Sequence, residues 1–255
     1  MSVVTVDTEG PTAIIRLNRP DARNAVSQEL AEALEAAVDT FEADDDLWTA
    51  VLTGNGPAFC AGADLKAISS GSGDHLGTRR SGFAGFVLHD RTKPVIAAVE
   101  GPAVAGGTEI VLACDLVVAA ESARFGLPEV KRSLVAAAGG TVRLPRTVPL
   151  KVAMELALTG DHVNAMRAYD LGLVNEVCPD GEAVPRALAL ADRLNANAPL
   201  AVRATRQAIL ESLVLDVAEG IQVAGRRSAE LTTTADFAEG PRAFVEKRPP
   251  RWTGR

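Results

Sequence analysis

Two glutamates, Glu109 and Glu129, lie in apolar sequence directly after turns rich in glycine or proline. An unpaired charge is unfavourable in such surroundings, so a buried acid usually has an interaction partner or a functional role. Glu109 follows Gly106 and Gly107, where the pattern predicts a strand, a glycine turn and a short helix with Glu109 in its first turn. Glu129 directly follows Pro128, at the opening of another turn or helix. Two carboxylates of this kind could act as a general acid and a general base.

The position of each acid also has a purely structural explanation. A carboxylate in the first turn of a helix is stabilised by the macrodipole and by free backbone N–H groups, whatever the function. The apolar residues beside Glu109, such as Ile110 and Val111, indicate that Glu109 is buried, and burial favours a functional role for this acid. Spacing alone leaves both interpretations open.

The elements that must position these acids can be predicted from periodicity. Ala13–Leu17 and Ala50–Thr53 are strand-like, and Gln28–Glu42 has one apolar helical face. The second strand runs into a turn of small residues, Cys60–Asp64, whose backbone N–H groups could face a ligand. After about Glu182 only helical periodicity follows. The alternation of strands and helices predicts an α/β core.

Proline signals divide the C-terminal region. Pro199 predicts a helix start, Gly240-Pro241 predicts a break, and Pro249-Pro250 predicts a stop. The region is therefore expected to consist of separate helices.

Several ordered motifs together resemble the enoyl-CoA hydratase/isomerase (crotonase) family from end to end. They are GNGPAFCAGADLK at 54–66, KPVIAAVEGPAVAGGTE at 93–109, FGLPEV at 125–130, AAAGGTVRLPR at 136–146 and ALTGDHVNAMRAYDLGLVNEV at 157–177. Any single glycine turn would be weak evidence, whereas this order is specific. The resemblance implies an α/β crotonase (ClpP-like) fold of repeated ββα units. It also implies a core domain at 1–195 and a C-terminal helical trimerisation region at 196–255.

The resemblance also implies a role for each matching residue. Two backbone N–H groups, on Ala63 and Gly106, would form an oxyanion hole for the thioester oxygen. Glu109 would activate water, Glu129 would supply the α proton, and the N–H of Ala137 would position the water. Coenzyme A would bind at the positions Ala22, Arg23, Ala61, Leu65, Phe244 and Lys247, the last two lying on one helix face and serving a neighbouring subunit of a homotrimer or a hexamer.

The sequence departs from the family pattern at four positions. Ala105 replaces the first glycine of a common triplet, while Ser133, Ala136 and Ala137 replace a glycine, a proline and a glycine after the second acid. Alanine keeps its backbone N–H, so we expect tuned geometry and retained activity.

The resemblance favours reversible hydration of a trans-2-enoyl-CoA in fatty-acid or related acyl-CoA catabolism, because both acids are present. A second interpretation is a specialised acyl-CoA dehydratase or isomerase, since the GFAG at Gly82–Gly85 and the C-terminal sequence are similar to carnitinyl-CoA dehydratase. A third is a noncatalytic scaffold that binds acyl-CoA or RNA. Turnover of crotonyl-CoA against crotonobetainyl-CoA would separate the first two.

Composition restricts the remaining classes of function. The formal net charge of −7 argues against a general nucleic-acid or anionic-membrane surface. Three cysteines and three histidines lack the spacing of a disulfide framework or a metal site, so we expect no metal. The sequence has no GxGxxG or GKS/GKT phosphate loop, and the resemblance implies no cofactor beyond the coenzyme A of the substrate. No apolar run approaches the roughly 20 residues of a membrane span, and no secretory signal pattern is present, which predicts a cytoplasmic protein.

Overall fold

The computed structural model of this chain describes residues 2–64 and 76–255. Its strands there, in chain order, are β1 (Val4–Glu9), β2 (Thr12–Leu17), β3 (Thr49–Gly54), β4 (Gly77–Thr78), β5 (Gly82–Phe83), β6 (Val95–Val99), β7 (Pro102–Val104), β8 (Leu116–Ala120), β9 (Arg124–Gly126), β10 (Val163–Asn164) and β11 (Glu176–Cys178).

The helices of the same residues follow in the same order. They are α1 (Gln28–Ala43), α2 (Gly106–Ala113), α3 (Gly140–Thr147), α4 (Leu150–Thr159), α5 (Ala165–Asp170), α6 (Ala183–Asn195), α7 (Pro199–Ser212), α8 (Val217–Leu231) and α9 (Ala235–Glu246), with short 3-10 helices at Pro20–Ala22 and Pro128–Arg132.

A six-stranded sheet forms the centre, in the order β1-β2-β3-β6-β8-β11. β1 and β2 form an antiparallel pair, and the remaining neighbours are parallel. Parallel strands are normally covered on both faces, and these are. One face packs against α1 and the main core, while Ala183, Ala187 and Ala191 of α6 cover Val51 and Ile96 on the other. The α/β prediction is confirmed.

A smaller sheet, β10-β9-β7, places the two glutamates near each other. β7 and β9 are parallel, with Val104 opposite Gly126. Parallel neighbours end at the same edge of a sheet. Because Gly106 follows β7 by two residues and Glu129 follows β9 by three, the helix that carries Glu109 and the 3-10 helix that carries Glu129 begin side by side.

The C-terminal region is helical after β11, as predicted, and α7 begins at Pro199. The predicted break at Gly240-Pro241 is wrong, because α9 continues through Pro241. Pro241 lacks the N–H that would donate to the carbonyl of Phe237, a residue that is 52% exposed. Buried Glu239 and Ala243, on either side of the proline, hold the helix in place. The role of 196–255 in oligomerisation stays a prediction.

Within the described residues, no helix is long and apolar enough to cross a membrane.

Candidate active site

Two backbone turns meet at the centre of the site. The first contains Gly62, with φ +89°, and the second contains Ala105 and Gly106. A Cβ on Gly62 would lie 2.8 Å from the Cβ of Ala105 and 3.0 Å from the nitrogen of Gly106, so the turns are in direct contact. The N–H of Val104 donates to the carbonyl of Cys60 at 3.1 Å, which fixes one turn against the other.

The N–H groups of Ala63 and Gly106 are available to a ligand. Neither donates to an acceptor among residues 2–64 and 76–255, and both residues line one cleft. Ala105 adopts φ 53°, ψ −127°, a conformation that favours glycine, and its own N–H donates to Gly126 at 2.9 Å. Ala105 therefore holds a backbone conformation that is strained for a residue with a Cβ.

Glu109 is the fourth residue of α2 and only 3% exposed. Its Oε1 accepts a hydrogen bond of 2.8 Å from the N–H of Gly140. Burial, together with the nearby charge of Glu129, raises the pKa of Glu109 to about 7, against the lowering effects of the Gly140 and Ala138 N–H groups and of Arg143. Glu109 can therefore gain or lose a proton near neutral pH.

Glu129 is half-buried at the start of its 3-10 helix. Its Oε2 is buried and has no hydrogen-bond partner within the described part of the chain. Burial raises the pKa of this carboxyl above its usual value, with Arg132 opposing the shift. Glu129 lines the same cleft as Glu109, and a carboxyl with a raised pKa and an unpartnered oxygen is suited to proton transfer.

The cleft has a volume of about 1690 Å³ and collects most of the predicted residues. Those that line it are Ala22, Arg23, Ala61, Ala63, Gly106, Glu109, Glu129 and Ala137. Leu65 lies outside the described residues. Phe244 and Lys247 do not line the cleft of their own chain.

The family model for enoyl-CoA hydratase/isomerase matches residues 7–255. This chain belongs to the enoyl-CoA hydratase/isomerase family. It is 43% identical over 255 residues to the enoyl-CoA hydratase EchA19 of Mycobacterium tuberculosis, covering 98% of this chain and 96% of that protein. It is 38% identical to a carnitinyl-CoA dehydratase of Salmonella enteritidis, covering 96% of each chain. The chain is also similar to a crystal structure of an enoyl-CoA hydratase from M. tuberculosis H37Rv, with a TM-score of 0.96 and 46% sequence identity. This match covers 100% of both chains.

The crotonase-family prediction made from the motifs is thereby confirmed, while one local prediction fails. Phe244 and Lys247 were expected on one face of a helix, but α9 ends at Glu246 and Lys247 is its left-handed C-cap, with φ 55°. The N–H of Lys247 turns back to the carbonyl of Phe244 at 3.2 Å. The helical spacing rule does not apply past the cap, so the two side chains share no helix face.

Three further residues of the candidate site were not predicted from the sequence. The ring of Phe83 packs on Gly106, since a Cβ added there would lie 2.4 Å from it. Gly140 donates to Glu109, and Arg143 interacts electrostatically with it. The GFAG and GGTVR sequences contain all three, but nothing in their spacing shows which element they contact.

Proposed function

We propose that this protein reversibly hydrates a trans-2-enoyl-CoA to a 3-hydroxyacyl-CoA. The observation that carries the proposal is the cleft shared by the buried Glu109, the half-buried Glu129 and two backbone N–H groups without acceptors among the described residues, those of Ala63 and Gly106. Within the described residues, neither acid forms an ion pair that would commit it to a structural role. Family membership supports acyl-CoA thioesters as the substrate class.

In the forward direction, the thioester oxygen accepts hydrogen bonds from the N–H groups of Ala63 and Gly106. Glu109, as a carboxylate, takes a proton from water while the water oxygen bonds to the β carbon. The electron pair of the double bond moves toward the thioester, and the two N–H groups stabilise the enolate charge. Glu129, protonated, then donates its proton to the α carbon. One water has been added, and a proton moved from Glu109 to Glu129 restores the site.

The raised pKa of both carboxyls supports a role for the pair in proton transfer, because the reaction uses one carboxyl ionised and the other protonated. Since the two acids interact, they titrate as a coupled pair. The N–H of Ala137, which donates to no acceptor among the described residues, lines the cleft and is our candidate for holding the water.

A carnitinyl-CoA dehydratase activity is the second candidate, favoured by the 38% identity to such an enzyme. Recognition of its quaternary ammonium would be expected to use several aromatic rings. Phe83 is the one Phe, Tyr or Trp side chain among the described residues that line the cleft, and 65–75 contain no Phe, Tyr or Trp. We therefore favour an uncharged enoyl group.

The experiment follows the loss of enoyl-thioester absorbance with crotonyl-CoA and with crotonobetainyl-CoA. We expect turnover of crotonyl-CoA with a clearly higher kcat/KM. The reverse preference would establish the dehydratase, and turnover of neither, with acyl-CoA still bound, would leave a noncatalytic scaffold. A cytoplasmic location stays a prediction.

We further propose a homotrimer or a pair of trimers in which Phe244 and Lys247 reach the coenzyme A of a neighbouring subunit. Phe244 is 85% exposed in the single chain, and apolar side chains such as Ile221 and Val217 are also exposed on α8. Light scattering should give a trimer or hexamer. Lys247→Ala should weaken coenzyme A binding in a salt-sensitive way, whereas exposed Lys151→Ala should not. A fully active monomer, or unchanged affinity at low salt, would contradict this assembly.

A further inference from the structure

The turn at 138–140 holds Glu109 in place. Gly140 donates to Oε1 at 2.8 Å, and the N–H of Ala138 adds a weaker interaction. A Cβ on Gly140 would lie 3.1 Å from Oε1 and 2.9 Å from the Cβ of Ala136, so the turn approaches Glu109 closely because residue 140 is glycine. The orientation of Glu109 therefore depends on where this turn lies.

The guanidinium of Arg143 lies directly over that turn. A Cβ added to Gly139, which has φ +112°, would be 2.1 Å from Nη1 of Arg143. Nη1 also makes a long contact of 3.5 Å with the carbonyl of Ala138. Nη2 donates to the carbonyl of Val87 at 2.5 Å. One side chain thus joins the turn to a second segment of the cleft wall.

That second segment borders the two N–H groups predicted to bind the thioester. Val87 is buried, and its N–H donates to the carbonyl of Phe83 at 3.3 Å. The ring of Phe83 in turn packs against Gly106. Arg143 is therefore connected to Glu109 on one side and to the wall of the oxyanion hole on the other.

We propose that Arg143 is a positioning residue that clamps the 138–140 turn to the Phe83–Val87 segment and so fixes Glu109 relative to the thioester. This inference deepens the proposed function and rests on it. Arg143 forms no ion pair within 4.0 Å of Glu109 among the described residues, so it acts through the turn and through its electric field.

The field has a definite sign. The charged groups that act on Glu109 are Glu129, which raises its pKa, and Arg143, which lowers it. Burial lowers the pKa of Arg143 while Glu109 raises it, as expected for opposite charges that stabilise each other. Without the positive charge, the pKa of Glu109 rises and less of it is ionised at neutral pH.

The test compares Arg143→Gln and Arg143→Lys with Arg193→Gln, the same change at an exposed position of α6. Because misplacement of a catalytic group by about 1 Å can cost roughly 10²-fold, we expect Arg143→Gln to lower kcat by about 10- to 100-fold with little change in KM. The acidic limb of its kcat profile should move to higher pH. Arg143→Lys, which keeps the charge but loses the two-sided fork, should keep the limb near its original pH with reduced kcat. Arg193→Gln should match the unaltered protein.

An infrared titration of the Glu109 carboxyl band, assigned by its loss in Glu109→Gln, provides a readout that does not need turnover. Arg143→Gln should raise the midpoint of that band. A raised midpoint in a protein that hydrates no enoyl-CoA would uphold the coupling while the proposed function fails. An unchanged midpoint and an unchanged kcat would overturn the role of Arg143. If Arg143→Gln does not fold, wild-type kcat in Arg143→Lys would overturn the clamp.

Discussion

Glu109 and Glu239 are equally hidden from solvent, at 3% and 5% exposure, yet their surroundings are opposite. Glu239 accepts hydrogen bonds from the side chains of Arg242 and Arg248 and, at 2.8 Å, from the N–H of Arg251. These partners hold the pKa of Glu239 far below its usual range. Glu109 has only backbone donors, a like charge at Glu129 and a cation, Arg143, that is not paired with it, and burial raises its pKa to about 7.

The comparison shows that the partners of a buried carboxyl, and not burial alone, determine its protonation and its role. Where cations surround the carboxylate, the charge ties chain segments together, and Glu239 joins α9 to the C-terminal residues at Arg248 and Arg251. Where cations do not pair with it, the carboxyl exchanges a proton near neutral pH. We infer that Glu239 is structural and that Glu109, with Glu129, is reactive.

The largest expected effect separates the two regions by activity. Glu109→Gln and Glu129→Gln should each lower kcat by about 10²–10⁴-fold, because each removes one proton-transfer group from the same transition state. The kcat of the double variant should be only slightly below that of the less active single variant, and both should still bind acyl-CoA. Steady-state kinetics and acyl-CoA titration measure both. Near-normal turnover in either folded single variant would remove that acid from the mechanism.

A second experiment tests the backbone beside Glu109. Gly106→Val should lower turnover by roughly 10²–10³-fold, since the new side chain displaces the ring of Phe83 and the N–H of residue 106. Lost turnover with an unchanged melting temperature supports an oxyanion hole. Full activity in well-folded Gly106→Val would refute it.

A third experiment contrasts the acids by stability against pH. The folded pKa of Glu239 is below its unfolded value of about 4.3, so its stabilisation is present at neutral pH and is lost as the pH falls through that region. Glu239→Gln should therefore lower Tm at pH 7, with a smaller difference toward pH 3.

The pH dependence of stability that comes from Glu109 should have the opposite sign. Its folded pKa, about 7, is above the unfolded value of about 4.3, so the unfolding free energy decreases as the pH rises between these values. Glu109→Gln removes this dependence, so its Tm relative to the unaltered protein should increase from pH 5 to pH 8. Parallel Tm curves for the Glu109 and Glu239 variants would contradict the comparison.

The smallest expected effect is at Ala105. Ala105→Gly relieves a conformation that costs alanine about 1–3 kcal/mol, and the added flexibility of the unfolded chain offsets part of it. We expect a net gain of about 1 kcal/mol, seen as a higher Tm, with turnover retained. A lower Tm would show that Ala105 is not strained.

The sequence predicted the parts of the fold that depend on local patterns. Gln28–Glu42 appears as α1, Pro199 begins α7, and Glu109 lies in the first turn of α2, because periodicity and terminal signals determine these locally. The break at Pro241 was wrong because tertiary contacts of Glu239 outweigh one lost helix bond.

The site could be predicted only for residues that lie within a recognisable family motif. The turns at Ala63 and Gly106 and the two acids share a cleft, as expected. The contacts of Arg143 with Val87 and of Phe83 with Gly106 join segments distant in sequence, so no local pattern could indicate them. The positions of Phe244 and Lys247 relative to coenzyme A depend on a neighbouring subunit and stay predictions.

The most direct test of the central claim is hydration of crotonyl-CoA in deuterium oxide, with the product analysed by NMR. If Glu109 and Glu129 act on one substrate from one cleft, the 3-hydroxybutyryl-CoA formed should carry a single deuterium on the α carbon, delivered to the same face as the hydroxyl. Deuterium on both faces of the α carbon, or no 3-hydroxyacyl product, would contradict the account.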